Sequence, residues 1–307
     1  MKLATTTSDF SKYINSDVEI LKELYSAGFK YVDLSLFSDK KVNAVYTDEN
    51  YLFEVEKLKS TAKELGLTFV QAHLPDGSEA SPIKRDDKFD LYLKTMLRSI
   101  EICGLLGIKN AVYHAGCEEN ITKKEWQERN LEFVKLLIPH LEKWNVNLLL
   151  ENYCHVNTYG MYYANNAKDL IEFANLVNHK NFGICWDTGH ANCEGSQYDE
   201  ILTLGKHLKA IHYNDNKQVS DDHTIPFLGT LNHDEIINAL IDANYEGYFT
   251  LECNSPVIRK GGWPFKRREF AKRDTLANPP LFLIEDLEKI LFKTAKHLLE
   301  SYDIYEE

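Results

Sequence analysis

No apolar run in this chain approaches the roughly 18 residues that a membrane span needs, and no membrane partner is expected. Basic residues are outnumbered: 35 Lys and Arg against 47 Asp and Glu leave a net charge of −12. Such a surface repels DNA, RNA and anionic lipid unless a local basic patch intervenes, so nucleic acid is not the expected partner. The six cysteines (103, 117, 154, 185, 193 and 253) contain no CxxC pair. That removes the common zinc-finger and dithiol spacings and fits a reduced, cytoplasmic protein. The opening MKLATTTSDF is polar after Ala4, which is not the pattern of a signal peptide. No low-complexity linker divides the 307 residues, and one long irregular stretch stands out, 253–282.

What the chain does have is alternation. Short runs rich in β-branched and aromatic residues at 2–6, 30–36, 67–73, 109–114, 146–151, 181–187, 208–213 and 247–252 are nearly continuously apolar, as strands buried on both faces must be. Helical patterns lie between and after them at 17–27, 88–106, 123–143, 166–177, 197–206, 233–244 and 283–301. In 17–27 the expected stripe is Val18, Leu21, Leu24 and Tyr25; in 88–106 it is Leu91, Met96, Leu97, Ile100 and Leu105. Gly28, Gly66 and Gly107 stand where a helix hands over to a strand. Eight strands alternating with helical segments predict a single-domain (β/α)8 TIM barrel over residues 1–307 rather than an open doubly wound sheet.

Six polar residues close successive apolar runs: His73, His114, Glu151, Asp187, His212 and Glu252, separated by 41, 37, 36, 25 and 40 residues. That is close to the length of one strand–helix unit. In such barrels chemistry sits at the carboxyl ends of the strands, so all six should converge. Glu151, Asp187, His212 and Glu252 come from strands five to eight. Three carboxylates at close quarters repel one another, and a divalent cation removes that conflict. One His with three carboxylates suits Mn²⁺, Co²⁺, Mg²⁺ or Zn²⁺ and leaves room for substrate or water. His190 follows three residues after Asp187, and His223 lies in the loop after strand seven. The cysteines that follow these residues are read as small buried groups rather than ligands, and His140, His155, His179, His207, His233 and His297 carry no expected role.

The order QAH, YHAG, LLLEN, CWDTGH, IHYND, DDHTIPFLG and LEC resembles the xylose isomerase-like barrel superfamily, from strand three to strand eight at least. That group includes ketose 3-epimerases, inosose isomerases and dehydratases, and the second family of apurinic endonucleases. In the epimerase branch the resemblance implies one divalent metal ion on Glu151, Asp187, His212 and Glu252. Glu151 and Glu252 are then the acid–base pair, with His190 on the substrate; His73, His114 and His223 are expected, like His190, to orient substrate hydroxyls or to hold further metal. The expected activity is that of a sugar or polyol isomerase or epimerase: a proton leaves the carbon next to a carbonyl and an enediolate forms at the metal. Two alternatives come with the resemblance. One is an inosose-type dehydratase. The other is a trinuclear-zinc apurinic endonuclease-like phosphodiesterase, whose additional ligands match His73, His114, His190, Asp221 and His223. One departure from the epimerases concerns the Arg that follows the strand-seven His, where HYNDNKQ offers Lys217 and Gln218.

Residues 257–275 hold seven basic and two acidic side chains, a local charge of +5. The segment follows strand eight and so belongs on the catalytic face. Arg259, Lys260 or Arg267 is placed to meet a phosphate or carboxylate of the substrate, and Trp263 to act as a lid over a sugar ring. The competing expectation for 253–282 is a homo-oligomer contact. Thr5–Thr7 and Asp33–Ser35, at the ends of strands one and two, are expected to add polar contacts to the substrate.

Overall fold

The computed structural model describes residues 1–36, 48–75, 81–254 and 279–307. Among these are eight parallel strands: β1 (Leu3–Thr6), β2 (Tyr31–Ser35), β3 (Thr68–His73), β4 (Asn110–Tyr113), β5 (Asn147–Glu151), β6 (Phe182–Asp187), β7 (Leu208–His212) and β8 (Phe249–Leu251). Each pairs with the next in sequence, β8 returns to pair with β1, and a Tyr213–Leu251 bridge joins the β7 and β8 ends. This is the (β/α)8 barrel that the alternation predicts. All eight strands fall where the apolar runs lie.

The outer layer consists of α1 (Asp17–Ala27), α2 (Tyr51–Leu65), α3 (Phe89–Leu106), α4 (Lys123–Trp144), α5 (His155–Thr158), α6 (Ala167–Val177), α7 (Thr188–Asn192), α8 (Tyr198–Leu204), α9 (His233–Asp242) and α10 (Leu281–Glu300). Local chemistry sets their ends. Ser16 caps α1 by accepting from the Glu19 N–H, and Thr122 with Glu125 forms a reciprocal capping box at α4. Gly28 ends α1 at φ 113°, where a Cβ would also stand 3.0 Å from the Phe292 ring, so only glycine fits.

Three elements were not anticipated: α2, and the one-turn α5 and α7 beside the strand ends. α2 buries Val55, Leu58 and Ala62, but Leu52 and Phe53 on its first turn face solvent, which blurs the apolar stripe. Two helix stripes also differ from expectation. Tyr25 is exposed, and Ile20 takes its place in the core beside Leu21 and Leu24; Leu91 is exposed, and Tyr92 and Phe89 face inward instead.

Strand alternation explains why the site faces inward. Val112, Leu149, Cys185 and Ala210 form a small buried cluster of their own, separate from the helix–strand core. Each lies two residues before His114, Glu151, Asp187 or His212, so the polar residue projects from the same face one pleat higher.

The end of β1 carries a polar contact with a pH consequence. The Thr5 hydroxyl lies 3.0 Å from Asp9 Oδ2 and 3.0 Å from Glu288 Oε1 on α10. A hydroxyl has one proton, so one carboxyl accepts it and the other must itself carry a proton to share the site. Burial, then repulsion from Glu288, holds Asp9 well above the usual carboxylate range, with Glu252 adding to the effect. Burial pushes Glu288 up to about 7, against hydrogen bonds from Thr5 and Asp9 that lower it.

A carboxyl with a raised folded-state value contributes stability that is present below its unfolded value of 4.5 and lost as pH rises through about 7. The shift corresponds to roughly 3 kcal/mol. Glu288→Gln should therefore flatten the fall in stability between about pH 5 and pH 8 relative to the parent chain. Denaturant melts of both proteins across that window check this; parallel curves would contradict it.

Candidate metal centre

Glu151 closes β5 and is fully buried. Its Oε1 faces His212 Nδ1 at 2.9 Å and His190 Nδ1 at 3.7 Å; its Oε2 faces His114 Nε2 at 2.9 Å and His73 Nε2 at 3.3 Å. Asp187 ends β6 and caps α7, accepting the His190 backbone N–H at 2.6 Å on Oδ1 and the Asn214 amide at 2.8 Å on Oδ2. Asn152 pins the Asp187 backbone at both ends of its carboxamide, 2.7 and 2.9 Å. Gly189 is required beside it, because any Cβ there would collide with the Asn214 carboxamide. His212 ends β7, and Glu252 lies one residue past β8 with its Oε2 3.4 Å from His212 Nδ1. One donor atom from each of Glu151, Asp187, His212 and Glu252 lies within 4.8 Å of all the others.

Two more clusters adjoin this one. His73, His114 and Glu151 form the first; His190, Asp221 and His223 form the second. Asp221 Oδ2 lies 3.2 Å from His190 Nε2 and 3.0 Å from His223 Nε2, and accepts the Asn157 amide at 2.7 Å. His223 adopts φ 45° and points Nδ1 at the Glu252 carbonyl, 3.0 Å away. Tyr153 packs its ring on both His114 and His190, with centroids 4.5 and 4.6 Å apart.

The electrostatics follow from this crowding. Glu151 sits well below the usual carboxylate range: burial opposes ionisation, but the facing His212 and His114 overcome it. Asp187 is pushed up to about 6, by burial first, while His190 pulls down and Glu151 pushes up. His73, His190, His212 and His223 are raised against their own burial by the carboxylates around them, whereas burial lowers His114 despite Glu151.

The donor set fits a cation on a structural ground as well. Glu151 Oε2 and His114 Nε2 are buried and 2.9 Å apart, yet neither makes a hydrogen bond; His190 Nδ1 is likewise buried without one. Buried polar groups left without a hydrogen-bond partner call for one, and a cation among these donors would supply it.

The six strand-end residues expected from the sequence, with His190, Asp221 and His223, therefore meet in one region. Trp263, Arg259, Lys260 and Arg267 lie outside the described residues, as does most of the 253–282 stretch, so the lid, the anion contact and the oligomer contact stay as expectations. Thr5, Thr7 and Asp33 have hydrogen-bonding or charged partners within the protein. Thr5 serves the Asp9–Glu288 pair, Thr7 accepts the Ser35 N–H at 2.9 Å, and Asp33 is buried behind His212. Asp33, Gln71, Asn152 and Asn214 support the site but were given no such part by the sequence. Their signal is a polar residue inside or just past an apolar strand, which the eye passes over when a ligand type follows. The six cysteines are free thiols, and no helix among the described residues is long and apolar enough to cross a membrane.

The barrel, with a His and carboxylate centre at its carboxyl strand ends, defines a class of α/β-barrel protein. A family model described as "Xylose isomerase-like TIM barrel" matches residues 21–273, and the chain belongs to that family. A D-psicose 3-epimerase of Ruminiclostridium cellulolyticum is 28% identical over 217 residues, which is 68% of this chain and 70% of that protein. A probable endonuclease 4 of Mesomycoplasma hyopneumoniae is 28% identical over 178 residues, 55% of this chain and 61% of that protein. Among solved structures, D-psicose 3-epimerase with D-tagatose from Clostridium cellulolyticum H10 superposes with a TM-score of 0.77 at 18% identity, covering 97% of this chain and 99% of that one. The IOLI protein with a binding zinc atom gives 0.74 at 18% identity, covering 98% and 99%.

Proposed function

We propose that this chain is a divalent-metal-dependent isomerase or epimerase of a small sugar or polyol. The observation that carries the reading is the meeting of Glu151 and Glu252 with Asp187 and His212, four buried donors around one point. The relatives named as epimerases support the class. A divalent cation there supplies Lewis-acid polarisation of a carbonyl and of a neighbouring hydroxyl, lowering the cost of charge that develops on oxygen.

The chain's own groups do the rest. Glu252 is the most open of the four at 8% exposure. It is the carboxylate best placed to take a proton from the carbon beside the carbonyl, with Glu151 as the other acid–base partner. His73, His114, His190 and His223 rim the same cup and offer donors and acceptors to sugar hydroxyls. Delivery of the proton to the opposite face of the carbon inverts the centre; delivery to the neighbouring carbon gives aldose–ketose exchange.

The test is a panel of ketoses, inososes and their phosphates incubated in deuterated water. Exchange at the carbon next to the carbonyl is the expected result. No exchange with any of them, together with nicking of abasic DNA, would overturn the reading.

A second reading is favoured by a specific observation. The three ligand sets adjoin one another, two of them share Glu151, and together they match a three-ion centre; one relative is a probable endonuclease 4. A net charge of −12 argues against a DNA substrate. Metal analysis separates the two readings. About one ion per chain is expected for the isomerase, and about three would favour phosphodiester hydrolysis.

A further inference from the structure

Behind the metal centre lies a polar pair that the barrel interior has no packing reason to contain. Asp33 is fully buried in β2, and Gln71 is 3% exposed in β3. Both face inward because the β2–β3 register slips between Val32 and Asp33: Val32 pairs with Phe69, but Asp33 pairs with Gln71. An irregularity of this kind re-aims side chains next to a site. A carboxylate at that depth is costly unless it is paired. Among the described residues, the charged partner of Asp33 is His212, whose Nε2 lies 3.1 Å from Asp33 Oδ2. Gln71 Nε2 donates to the same Oδ2 at 2.9 Å.

We infer that Asp33 is a positioning residue for His212. Its carboxylate receives the Nε2 proton, so that the Nδ1 lone pair points into the cluster of Glu151, Asp187 and Glu252. The proposal rests on the reading of that cluster as a metal centre. An imidazole can bind a cation only through an unprotonated nitrogen, and its other nitrogen must then hold the proton. Asp33 is the acceptor for that proton, and Gln71 anchors Asp33.

The opposite tautomer is also accommodated. With the proton on Nδ1, His212 donates to Glu151 Oε1 at 2.9 Å, and the Gln71 amide, 2.8 Å from Nε2, donates to that nitrogen. Asp33 therefore biases a ring that has two hydrogen-bonded settings toward the one that can take a cation. Gln71, which serves both settings, has the smaller influence.

The test uses the full chain stripped of metal and titrated with Co²⁺. Calorimetry gives affinity, and the visible d–d spectrum gives the ligand field. Asp33→Asn should weaken Co²⁺ binding by about 10- to 100-fold and alter the d–d spectrum. The His212 side-chain ¹⁵N shifts of the metal-free protein, read at alkaline pH where the ring is neutral, should move toward the Nδ1-protonated form. Should Asp33→Asn fail to fold, Gln71→Met carries the test: it removes the amide that donates to Nε2 in the opposite setting and leaves Asp33 alone on that nitrogen, so the ¹⁵N shifts should move toward the Nε2-protonated form, and movement the other way overturns the role. Unchanged affinity and spectrum in folded Asp33→Asn, with the parent chain binding normally, overturn the positioning role alone. Absence of Co²⁺ binding by the parent chain overturns the metal-centre reading and this inference with it.

Discussion

Glu252→Gln should abolish turnover while leaving the barrel folded. The substitution keeps the shape of the side chain and one carbonyl oxygen, but it removes the group that can accept a proton. In the proposed reaction that group takes the proton from carbon, and general acid–base catalysis of this kind contributes roughly 10²–10⁴-fold. The fold has little to lose. Glu252 is the least buried of the four clustered donors, and its backbone N–H still reaches the Tyr213 carbonyl at 3.1 Å. The His223 ring bonds to the residue 252 carbonyl, which the substitution leaves in place. The measurement is solvent deuterium exchange into the accepted substrate, beside a thermal melt. Retention of more than a tenth of the parent rate by a folded variant would contradict the proton-transfer role. Loss of rate with a collapsed melting transition would mean that the residue is structural.

The barrel and the centre were legible in the sequence for the same physical reason. A strand buried on both faces must be apolar throughout, so a His, Asp or Glu at its end stands out. The alternation of strand side chains then fixes the direction that residue points. FGICWD shows this: Cys185 plugs the barrel, and Asp187, two residues on, enters the site.

What stayed hidden lacks that contrast. In YVDLS and FVQAH the polar residue sits within the run, and its role appears only when the slipped register brings Asp33 and Gln71 together under His212. The helix Tyr51–Leu65 has no clean apolar stripe in its sequence because Leu52 and Phe53 place apolar surface on its solvent side. The pair Asp9 and Glu288 is 279 residues apart in sequence, and nothing local in either segment indicates that Thr5 joins them.

Glu151→Gln should disable two ligand clusters with one substitution. Its two oxygens point in different directions, one toward His212 and the other toward His114 and His73. An amide offers one neutral oxygen in place of two charged ones, so any cation held by Asp187, His212 and Glu252, and any held by His73 and His114, loses a charged ligand. Asp187→Asn touches only the first cluster and His114→Ala only the second. Metal content by mass spectrometry should therefore fall in Glu151→Gln and in Asp187→Asn; with about one ion per chain the two fall alike while His114→Ala keeps its metal, and with ions in both clusters Glu151→Gln falls further than either.

The metal-free protein should respond as well, in a defined pH window. The depressed Glu151 contributes stability that is present above its unfolded value of 4.5. The raised His73 and His212 contribute stability that is present below their unfolded value of 6.5 and lost as pH climbs through their folded values. Both contributions operate between those two values. Removing the carboxylate there leaves buried imidazolium without its partner, a loss of about 3–5 kcal/mol. The same substitution should cost less at alkaline pH, once the rings are neutral. Urea melts of the stripped parent and variant near pH 5.5 and near pH 9 decide it. An equal loss at both would show that Glu151 acts by packing alone, and retention of full metal content would remove it from the centre.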